Sequence, residues 1–261
     1  MSRPIIVMSP GQGVQYPGMG SALYASDDSF RSEFDQALKP IDRGLADRIR
    51  ALIRQPNQMD EQVLEDCRVT HPFVFVIHYA LARRVELEGI RATHILGYSL
   101  GEFLASVLSG HLSVEEGLQL AVETGRWVHE HTPERRMMAI LANPEIRSDY
   151  YPFLEGVTLA CYNYPEHFVV TGRKEELELI ANEVAADGYH YEMLPIRRGF
   201  HAAEMDPFLR EAATWPASPV KALPRDPLPQ YSCALGRSLT VADIRDNHWG
   251  KVHRLPVQFE A

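Results

Sequence analysis

Apolar positions in the first half of the chain alternate between short runs and longer helical stretches. "PIIVMS" at residues 4–9 is a short apolar run that enters a glycine-rich turn, and "THIL" at 93–96 leads through "GYSLG" into "EFLASVL". Between them, "THPFVFVIHYALARRVELEG" at 70–89 has the length and composition of an apolar helix that ends at Gly89. Strands that alternate with helices predict a parallel sheet covered on both faces.

A further helix carries its own start signal. "SVEEGLQLAVETGRWVHEH" at residues 113–131 opens with Ser113, and Glu116 follows three residues later. This spacing is typical of a capping box, in which the two side chains bind each other's backbone N–H groups. We therefore predict an amphipathic helix over this range.

The rhythm of the pattern changes after residue 128. The pattern predicts a strand "MMAILA", a helix "PEIRSDYYPFLE", and then two strands, "VTLACYN" and "HFVVTGR". A helix "KEELELIANEVAADG" and a strand "YHYEMLPI" follow. This βαββαβ order is that of the ferredoxin-like unit, for which about seventy residues suffice. We predict a ferredoxin-like small domain at 128–197, inserted into a large α/β domain that comprises 1–127 and 198–261.

Composition and charge exclude several classes of function. The 261 residues are 45% hydrophobic, and their formal net charge of -9 argues against binding to a nucleic-acid backbone. No apolar run forms a signal peptide or approaches the ~18 residues that span a membrane, so we expect no membrane association and a cytoplasmic location. Cys67, Cys161 and Cys233 are too few and too far apart for a disulfide framework or a zinc pattern, and we expect reduced thiols.

The stretch "GYSLGE" is the strongest candidate for chemistry. Ser99 stands between two glycines, after a predicted strand and before a predicted helix, which is the order of a nucleophile elbow. In that geometry the N–H of Leu100, at the start of the helix, is an oxyanion donor. The glycines of "SPGQGVQYPGMG" allow the backbone to approach a substrate and supply a second donor. Taken alone, the motif is equally compatible with a serine that merely occupies a glycine-rich turn.

A base for Ser99 has to be found among 11 histidines. His201 in "GFHAAEMDPF" follows a predicted strand and precedes a predicted helix, a loop position at which functional residues concentrate. His129 and His131 lie near the predicted C-terminal end of a helix, and no third ligand is placed beside them. We therefore predict His201 as the base and no metal site.

Five stretches, in order, resemble the malonyl-CoA:acyl-carrier-protein transacylase family, the acyltransferases of fatty-acid and polyketide synthesis. "GQGVQYPGMG" is similar to the N-terminal glycine motif of that family and "GYSLGE" to its GHSxGE motif. "NYPEHFVVTG", "GFHAAEMDP" and "HWGKVHRLPVQF" are similar to its NxPxQxVISG, AFHSxxMDP and YWxxNLxxPVxF stretches. The resemblance covers nearly the whole chain and implies an α/β-hydrolase-like large domain with a ferredoxin-like insertion.

The resemblance implies a ping-pong mechanism for this chain. Ser99 would attack an acyl thioester, His201 would accept its proton, and the N–H groups of Gln12 and Leu100 would hold the oxyanion. A backbone carbonyl near "YSCALG" at 231–236 would hold His201, so no acidic third member is implied. The acyl group would then pass to the thiol of a phosphopantetheine arm or of CoA, which enters as part of the substrate, and no cofactor is implied.

An acyl carrier protein is the partner that the resemblance implies. Carrier proteins are acidic, and Arg197, Arg198 and the "RRMM" turn are candidates for binding one. Asn163 is expected to support the site through the loop beside His201, although a turn-forming asparagine before Tyr164 is equally compatible.

The chain departs from the family at the position that binds malonate. Malonyl-selective members carry an arginine on the helix after the nucleophile, and here Thr124 stands in its place. Arg126 lies two residues on, about 200° around a helix, and is not expected to face the same pocket. Because a buried carboxylate without its cationic partner costs about 3–5 kcal/mol, we predict a neutral acyl group rather than malonyl or methylmalonyl.

Three further departures point the same way. His71 and His167 replace family glutamines, and Tyr98 replaces the histidine beside the nucleophile. With Thr124 they predict a remodelled acyl pocket. We predict a discrete acyltransferase for a non-malonyl acyl group in polyketide or hybrid natural-product biosynthesis; an acyl hydrolase, an ordinary malonyl transacylase and a non-catalytic docking protein remain alternatives.

Relatives continue beyond "PVQF" through further helices, so we expect either a truncated form or a large domain that is closed differently.

Overall fold

The computed structural model describes residues 3–55, 61–143, 157–215 and 227–261. The chain divides into two compact units, Met1–His129 with Ser218–Tyr231 and Glu130–Ala217 with Ser232–Ala261. The second unit contains residues 198–217 and 232–261, which the predicted boundaries assign to the large domain. The predicted domains therefore stay a prediction, and the two units are described here one at a time.

The first unit is built from parallel strands and helices. Its elements, in chain order, are β1 (Ile6–Ser9), α1 (Ser21–Ser26), α2 (Asp28–Ala37), α3 (Arg43–Arg54), a 3-10 helix (Glu61–Glu65), α4 (Cys67–Leu87), β2 (His94–Gly97), α5 (Gly101–Ser109) and α6 (Val114–His131). Strands β1 and β2 are parallel, with Ile6 opposite His94 and Ser9 opposite Gly97. Strand β7 (Gln230–Ser232), at whose end the chain enters the second unit, is the other neighbour of β2.

The helix signals in the sequence are confirmed. Helix α4 begins after Asp66, whose side chain accepts a hydrogen bond from the N–H of Arg68, and Gly89 with φ +81° follows its end. Its residues 67–77 are buried except for Arg68. At the start of α6, Ser113 N–H binds Glu116 at 2.7 Å and Glu116 N–H binds Ser113 Oγ at 3.1 Å, which is the predicted capping box.

The strands of the second unit have the ferredoxin-like order. Its elements, in chain order, are β3 (Arg136–Leu141), β4 (Thr158–Tyr164), β5 (His167–Gly172), α7 (Lys174–Ala186), β6 (His190–Met193), a 3-10 helix (Ala203–Met205), α8 (Asp206–Ala212), β8 (Arg237–Ser238), α9 (Val241–Arg245), α10 (His248–Arg254) and β9 (Val257–Gln258). The sheet order is β6-β3-β5-β4-β9, and the pairs β6–β3, β3–β5 and β5–β4 are antiparallel. The predicted helix "PEIRSDYYPFLE" lies outside the described residues.

A short parallel pairing joins the C-terminal segment to this sheet. Strand β9 pairs with β4, with Cys161 opposite Val257 and Tyr162 opposite Gln258. The sheet and α7 share one buried core. It consists mainly of Met138, Ile140, Phe168 and Val170 from the sheet and Leu177, Ile180 and Val184 from α7. The pairing of β9 is the reason why residues near the end of the chain belong to the second unit.

Two further sequence expectations concern thiols and membranes. Cys67, Cys161 and Cys233 are all buried and form no disulfide. Within the described ranges, no helix combines the length and the apolar character that crossing a membrane requires.

Candidate active site

Ser99 lies at a sharp turn between β2 and α5. Its φ is 51°, in the left-handed region that disfavours a side chain. The turn is fixed on both sides: Tyr98 N–H donates to the carbonyl of Ser9 at 2.9 Å, and Glu102 N–H donates to the carbonyl of Ser99 at 2.8 Å. This strand, turn and helix form the nucleophile elbow that the sequence predicts.

The two glycines of the motif are required by close packing. A Cβ on Gly101 would lie 2.1 Å from the carbonyl oxygen of Ser9 at the end of β1. A Cβ on Gly97 would lie 2.5 Å from the Cα of Glu102. Both distances are far shorter than a van der Waals contact, so only glycine allows α5 to start directly above the strands.

The glycine-rich loop after β1 packs against the same turn. A Cβ on Gly11 would lie 3.1 Å from the Cβ of Ser99 and 3.0 Å from the carbonyl oxygen of Tyr98. Farther along the loop, Gly13 N–H donates to Gln15 Oε1 at 2.8 Å, and Gln15 Nε2 donates to the carbonyl of Leu64 at 2.9 Å. The glycine-rich loop after β1, which the sequence predicts to lie beside Ser99, is therefore in contact with it.

Helix α4 binds the side chain of Gln12. His71 Nε2 lies 2.6 Å from Gln12 Oε1, and Gln12 Nε2 donates to Thr70 Oγ1 at 3.1 Å. Thr70 Oγ1 in turn donates to the carbonyl of Asp66 at 3.1 Å, one helical turn earlier. Gln12 Oε1 can only accept, so this orientation of the amide places the ring proton of His71 on Nε2.

His71 is fully buried, with no exposed surface. Burial lowers the pKa of His71 to about 3, so its ring is neutral at ordinary pH. The sequence predicts that His71 lines the acyl pocket. The structure places it in contact with Gln12, a residue 59 positions earlier that the sequence links to the oxyanion.

Thr124 lies on the buried face of α6. Its side chain has no exposed surface, and its hydroxyl has no hydrogen-bond partner among the described residues. The next residue, Gly125, marks the close approach of α6 to α4: its Cβ would lie 2.3 Å from the carbonyl oxygen of Cys67, whose Sγ donates to Gly125 O at 3.2 Å. Position 124 therefore offers a neutral hydroxyl in the interior.

Arg126 points away from that interior. Its side chain is 61% exposed and forms an ion pair with Glu123, three residues earlier on α6. The helical spacing thus separates Arg126 from Thr124, as the sequence predicts.

His201 lies in the second unit and adopts a left-handed backbone with φ 61°. Its N–H donates to the carbonyl of His253 at 2.8 Å, and its Nδ1 lies 2.7 Å from the carbonyl of Leu255. The expectation that the carbonyl comes from 231–236 is wrong. Leu255 follows α10 and precedes β9, and the pairing of β9 with β4 fixes this part of the backbone.

The environment of His201 prepares it to accept a proton. His201 is 2% exposed, and this burial lowers the pKa of its ring to about 4, against the opposing hydrogen bond to Leu255. The ring is therefore neutral at ordinary pH. Because the carbonyl of Leu255 can only accept, Nδ1 carries the proton, and Nε2 is the unprotonated nitrogen of the neutral ring.

Asn163 and His167 lie at adjacent ends of β4 and β5. Asn163 is buried, and its Nδ2 donates to His167 Nε2 at 3.3 Å. Burial lowers the pKa of His167 as well. On the same strand, the carbonyl of Tyr162 accepts from Phe259 N–H at 2.9 Å, beside β9. Asn163 thus belongs to the strand that docks the segment that follows Leu255.

The structure brings His129 near two residues that the sequence does not connect with it. Nδ1 of His129 lies 3.8 Å from Asp66 Oδ1, and ligand atoms of both residues lie within 4.8 Å of Cys67 Sγ. The Asp66 carboxylate, however, accepts hydrogen bonds from the backbone and guanidinium of Arg68 at 2.9–3.0 Å. The expectation of no metal site stays a prediction.

A cleft in the second unit gathers cationic side chains. It has a volume of about 420 Å³ and is lined by Glu134, Arg135, Arg136, Arg173, Lys174, Glu175 and Arg197. Both arginines of the "RRMM" turn and Arg197 therefore face one cleft, although they come from separate stretches of sequence. Several of these cations also have acidic neighbours, among them Arg135 with Glu204 at 2.9 Å.

The chain is similar to known acyltransferases over nearly its whole length. A sequence model of the acyl transferase domain matches residues 7–261. The polyketide biosynthesis acyltransferase homolog BaeD of Bacillus velezensis is 31% identical over 268 residues, which cover 99% of this chain and 79% of that protein. The homolog PksD of Bacillus subtilis is 28% identical over 259 residues, with the same two coverages of 99% and 79%.

Solved acyltransferase structures share the fold. A loading acyltransferase from the avermectin modular polyketide synthase aligns with a TM-score of 0.82 over 97% of this chain and 80% of that chain, at 23% identity. The likeness supports an α/β-hydrolase-like large domain with a ferredoxin-like small domain, which confirms the fold class expected from the sequence.

Proposed function

The chain belongs to the acyl transferase domain family and is an acyltransferase, and on this premise we propose that it transfers a non-malonyl acyl group between thioesters in polyketide or hybrid natural-product biosynthesis. The observation that carries the proposal is the elbow at Ser99, with its strained φ of 51° and the Gly11 loop packed against its Cβ. Strain of this kind persists where a serine oxygen has to be presented for reaction.

In the first half-reaction, Ser99 Oγ attacks the carbonyl carbon of the acyl thioester. His201 Nε2 takes the serine proton, and the N–H groups of Gln12 and Leu100 stabilise the negative oxygen of the tetrahedral intermediate. The intermediate then collapses, the C–S bond breaks, and the leaving thiolate receives the proton from His201. The support for these roles is the neutral ring of His201, whose Nδ1–H is held by Leu255.

In the second half-reaction, an acceptor thiol gives its proton to His201 and attacks the acyl-serine. Ser99 leaves with the proton that His201 returns, and a new thioester is formed. The acceptor is the phosphopantetheine arm of an acyl carrier protein or CoA, which is substrate rather than cofactor. If water takes the place of the thiol, the same intermediate yields a free acid, so the product distinguishes a transferase from an acyl hydrolase.

The proposed preference for a neutral acyl group rests on α6. Thr124 offers a buried, uncharged hydroxyl, and the guanidinium of Arg126 is paired with Glu123 at the surface. A malonyl carboxylate placed beside Thr124 would lose water without gaining a cation, which costs about 3–5 kcal/mol and corresponds to roughly 10²–10⁴-fold in rate. Tyr98, His71, His167 and Asn163 are proposed to shape or support the rest of the site.

The decisive experiment is intact-protein mass spectrometry after incubation with acetyl-, butyryl-, octanoyl- and malonyl-pantetheine. We expect acyl adducts of the neutral groups on the wild type, at least about 10²-fold slower labelling by malonyl, and no adduct on Ser99→Ala. Adding a holo carrier protein to the acyl-enzyme then separates transfer from release of free acid. Faster labelling by malonyl than by every neutral group would contradict the proposed specificity.

A pair of variants tests the position itself. Thr124→Arg is expected to raise malonyl labelling relative to butyryl labelling, because it restores a cation, whereas the nearly isosteric Thr124→Val is expected to leave the ratio unchanged. An unchanged ratio in a folded Thr124→Arg protein would place the specificity elsewhere in the pocket.

A further inference from the structure

We propose that His71 is a positioning residue: by binding the side chain of Gln12, it fixes the backbone N–H of Gln12 at the place where the oxyanion forms. This inference rests on the proposed function, because it takes Gln12 as one of the two oxyanion donors. It gives His71 a role in the rate of acylation rather than in the choice of acyl group.

Both ends of the Gln12 carboxamide are bound by successive residues of α4. Gln12 Oε1 accepts from His71 at 2.6 Å, and Gln12 Nε2 donates to Thr70 at 3.1 Å. A carboxamide bound at both ends has lost its rotation, so the backbone to which it is attached is held as well. Gln15, three residues farther on, binds the loop separately to the carbonyl of Leu64.

The groups that hold Gln12 are themselves buried and bound. His71 and Thr70 have no exposed surface, and both lie in the first two turns of the 21-residue helix α4. Thr70 Oγ1 is tied to the carbonyl of Asp66. The contact therefore connects a loop to a rigid, buried frame, which is the arrangement that a precise catalytic geometry requires.

The loop that carries Gln12 lies close to Ser99. The backbone at Gly11 approaches so closely that a Cβ there would lie 3.1 Å from Ser99 Cβ. A small displacement of Gln12 would change the distance from its N–H to the oxygen that develops at Ser99. Oxyanion donors act over a narrow range of distances, so the effect falls on the transition state.

The contact made by His71 indicates its role. Its Nε2 is engaged by Gln12 Oε1, so His71 acts through the residue that it binds. Its pKa of about 3 keeps the ring neutral, and the hydrogen bond to Gln12 is therefore expected to be the same from pH 5 to pH 9.

The test compares His71→Leu with His71→Gln, since glutamine supplies an N–H donor at a similar reach and leucine supplies none. We expect His71→Leu to lower the single-turnover rate of Ser99 butyrylation about 10- to 100-fold, the range that a displaced reacting group produces, and His71→Gln to stay within about 3-fold of the wild type. Gln12→Leu is expected to match His71→Leu. The double variant His71→Leu/Gln12→Leu is expected to be no slower than either single variant.

A second readout separates positioning from a general loss of structure. A trifluoromethyl ketone analogue of butyryl-pantetheine adds to Ser99 and forms an oxyanion, whereas the matching amide forms none. We expect His71→Leu to weaken the ketone by the same factor as the rate and to leave the affinity for the amide within about 2-fold. Should His71→Leu not fold, Gln12→Leu gives the same comparison from the partly exposed side of the contact.

The outcomes distinguish this inference from the proposed function. A wild type that forms no acyl-Ser99 with any thioester would overturn the proposed function. A wild type that is acylated normally, with His71→Leu and Gln12→Leu equally fast, would overturn only the role of His71. Additive losses in the double variant, or an equal loss of ketone and amide binding, would also overturn it.

Discussion

Ser99 and His201 both hold a backbone conformation that disfavours a side chain. With Asn247 they are the non-glycine residues of positive φ in the part of the chain that the structure describes. Such conformations cost of order 1–3 kcal/mol each and persist where neighbouring bonds enforce them. At Ser99 the enforcing bond comes from Glu102, and at His201 it goes to His253. The strain thus coincides with the two residues proposed for the chemistry.

The lowered pKa of His201 predicts an unusual pH profile. Acylation requires the neutral ring, and its pKa lies at about 4 rather than at the ordinary 6.5. We therefore expect kcat/KM for a neutral acyl thioester to stay nearly constant from pH 7 to pH 5 and to fall only as the pH approaches 4. Quenched-flow measurement of acyl-Ser99 checks this, and an acid limb near pH 6.5 would contradict it.

The same pKa shift affects stability with a defined sign. Between pH 6.5 and pH 4 the unfolded chain protonates this histidine and the folded protein does not, so acid favours unfolding. The free energy of unfolding should decrease as the pH falls through this window, by up to about 1.4 kcal/mol per pH unit for one histidine. Urea unfolding of His201→Gln beside the wild type should show a shallower decrease.

At the scale of elements, the site depends on the contact between the start of α5 and the end of β1. Gly101 lies so close to Ser9 that no side chain fits between the helix and the strand. The first strand, the elbow and the glycine-rich loop are therefore one packed assembly rather than three independent motifs. A change at this contact should affect both the stability of the unit and the position of Ser99.

We predict that Gly101→Ala destabilises the protein by about 2–3 kcal/mol or more, because its Cβ meets a backbone oxygen that cannot rotate away. Ser99 acylation should fall in the same variant. Gly44→Ala is the matched control: its Cβ would meet only the side chain of Asp42, at 3.1 Å, so we expect a change within about 1 kcal/mol. Unfolding in urea and intact mass after acylation measure both effects, and a Gly101→Ala protein of unchanged stability would refute the packing argument.

At the scale of the whole molecule, charge is distributed unevenly. The chain has a formal net charge of -9, yet five cationic side chains and two acidic ones line one cleft of the second unit. Electrostatic attraction of an acidic partner acts chiefly on the rate of association and weakens with salt. The cleft is accordingly the proposed contact for the acyl carrier protein.

We predict that Arg136→Glu raises the KM for a carrier-bound acyl thioester several-fold and leaves the KM for the pantetheine thioester unchanged, because only the carrier presents an acidic surface. Arg43→Glu makes the same change in net charge on the first unit, at a side chain that is 95% exposed, and should have no such effect. Initial rates at low and high salt provide the measurement. Equal effects of the two variants would mean that net charge alone matters.

The sequence by itself determined the features that depend on neighbours along the chain. The elbow at Ser99, the capping box at Ser113 and the succession of β3, β4, β5, α7 and β6 follow from local spacing, glycine positions and hydrophobic period, which are readable in one short window. The exposure of Arg126 opposite Thr124 follows from helical geometry in the same way. In each of these features, the local preference of the backbone agrees with the tertiary packing.

Only the tertiary structure decided which distant groups meet. The carbonyl that holds His201 belongs to Leu255, and because every residue has a carbonyl, no side chain signals this one. The partner of Gln12 is His71, which the sequence pattern assigned to the acyl pocket. The pairing of the two-residue strand β9 with β4 carries no periodic signal at all. Contacts of this kind depend on the summed packing of the whole fold, so sequence windows cannot contain them.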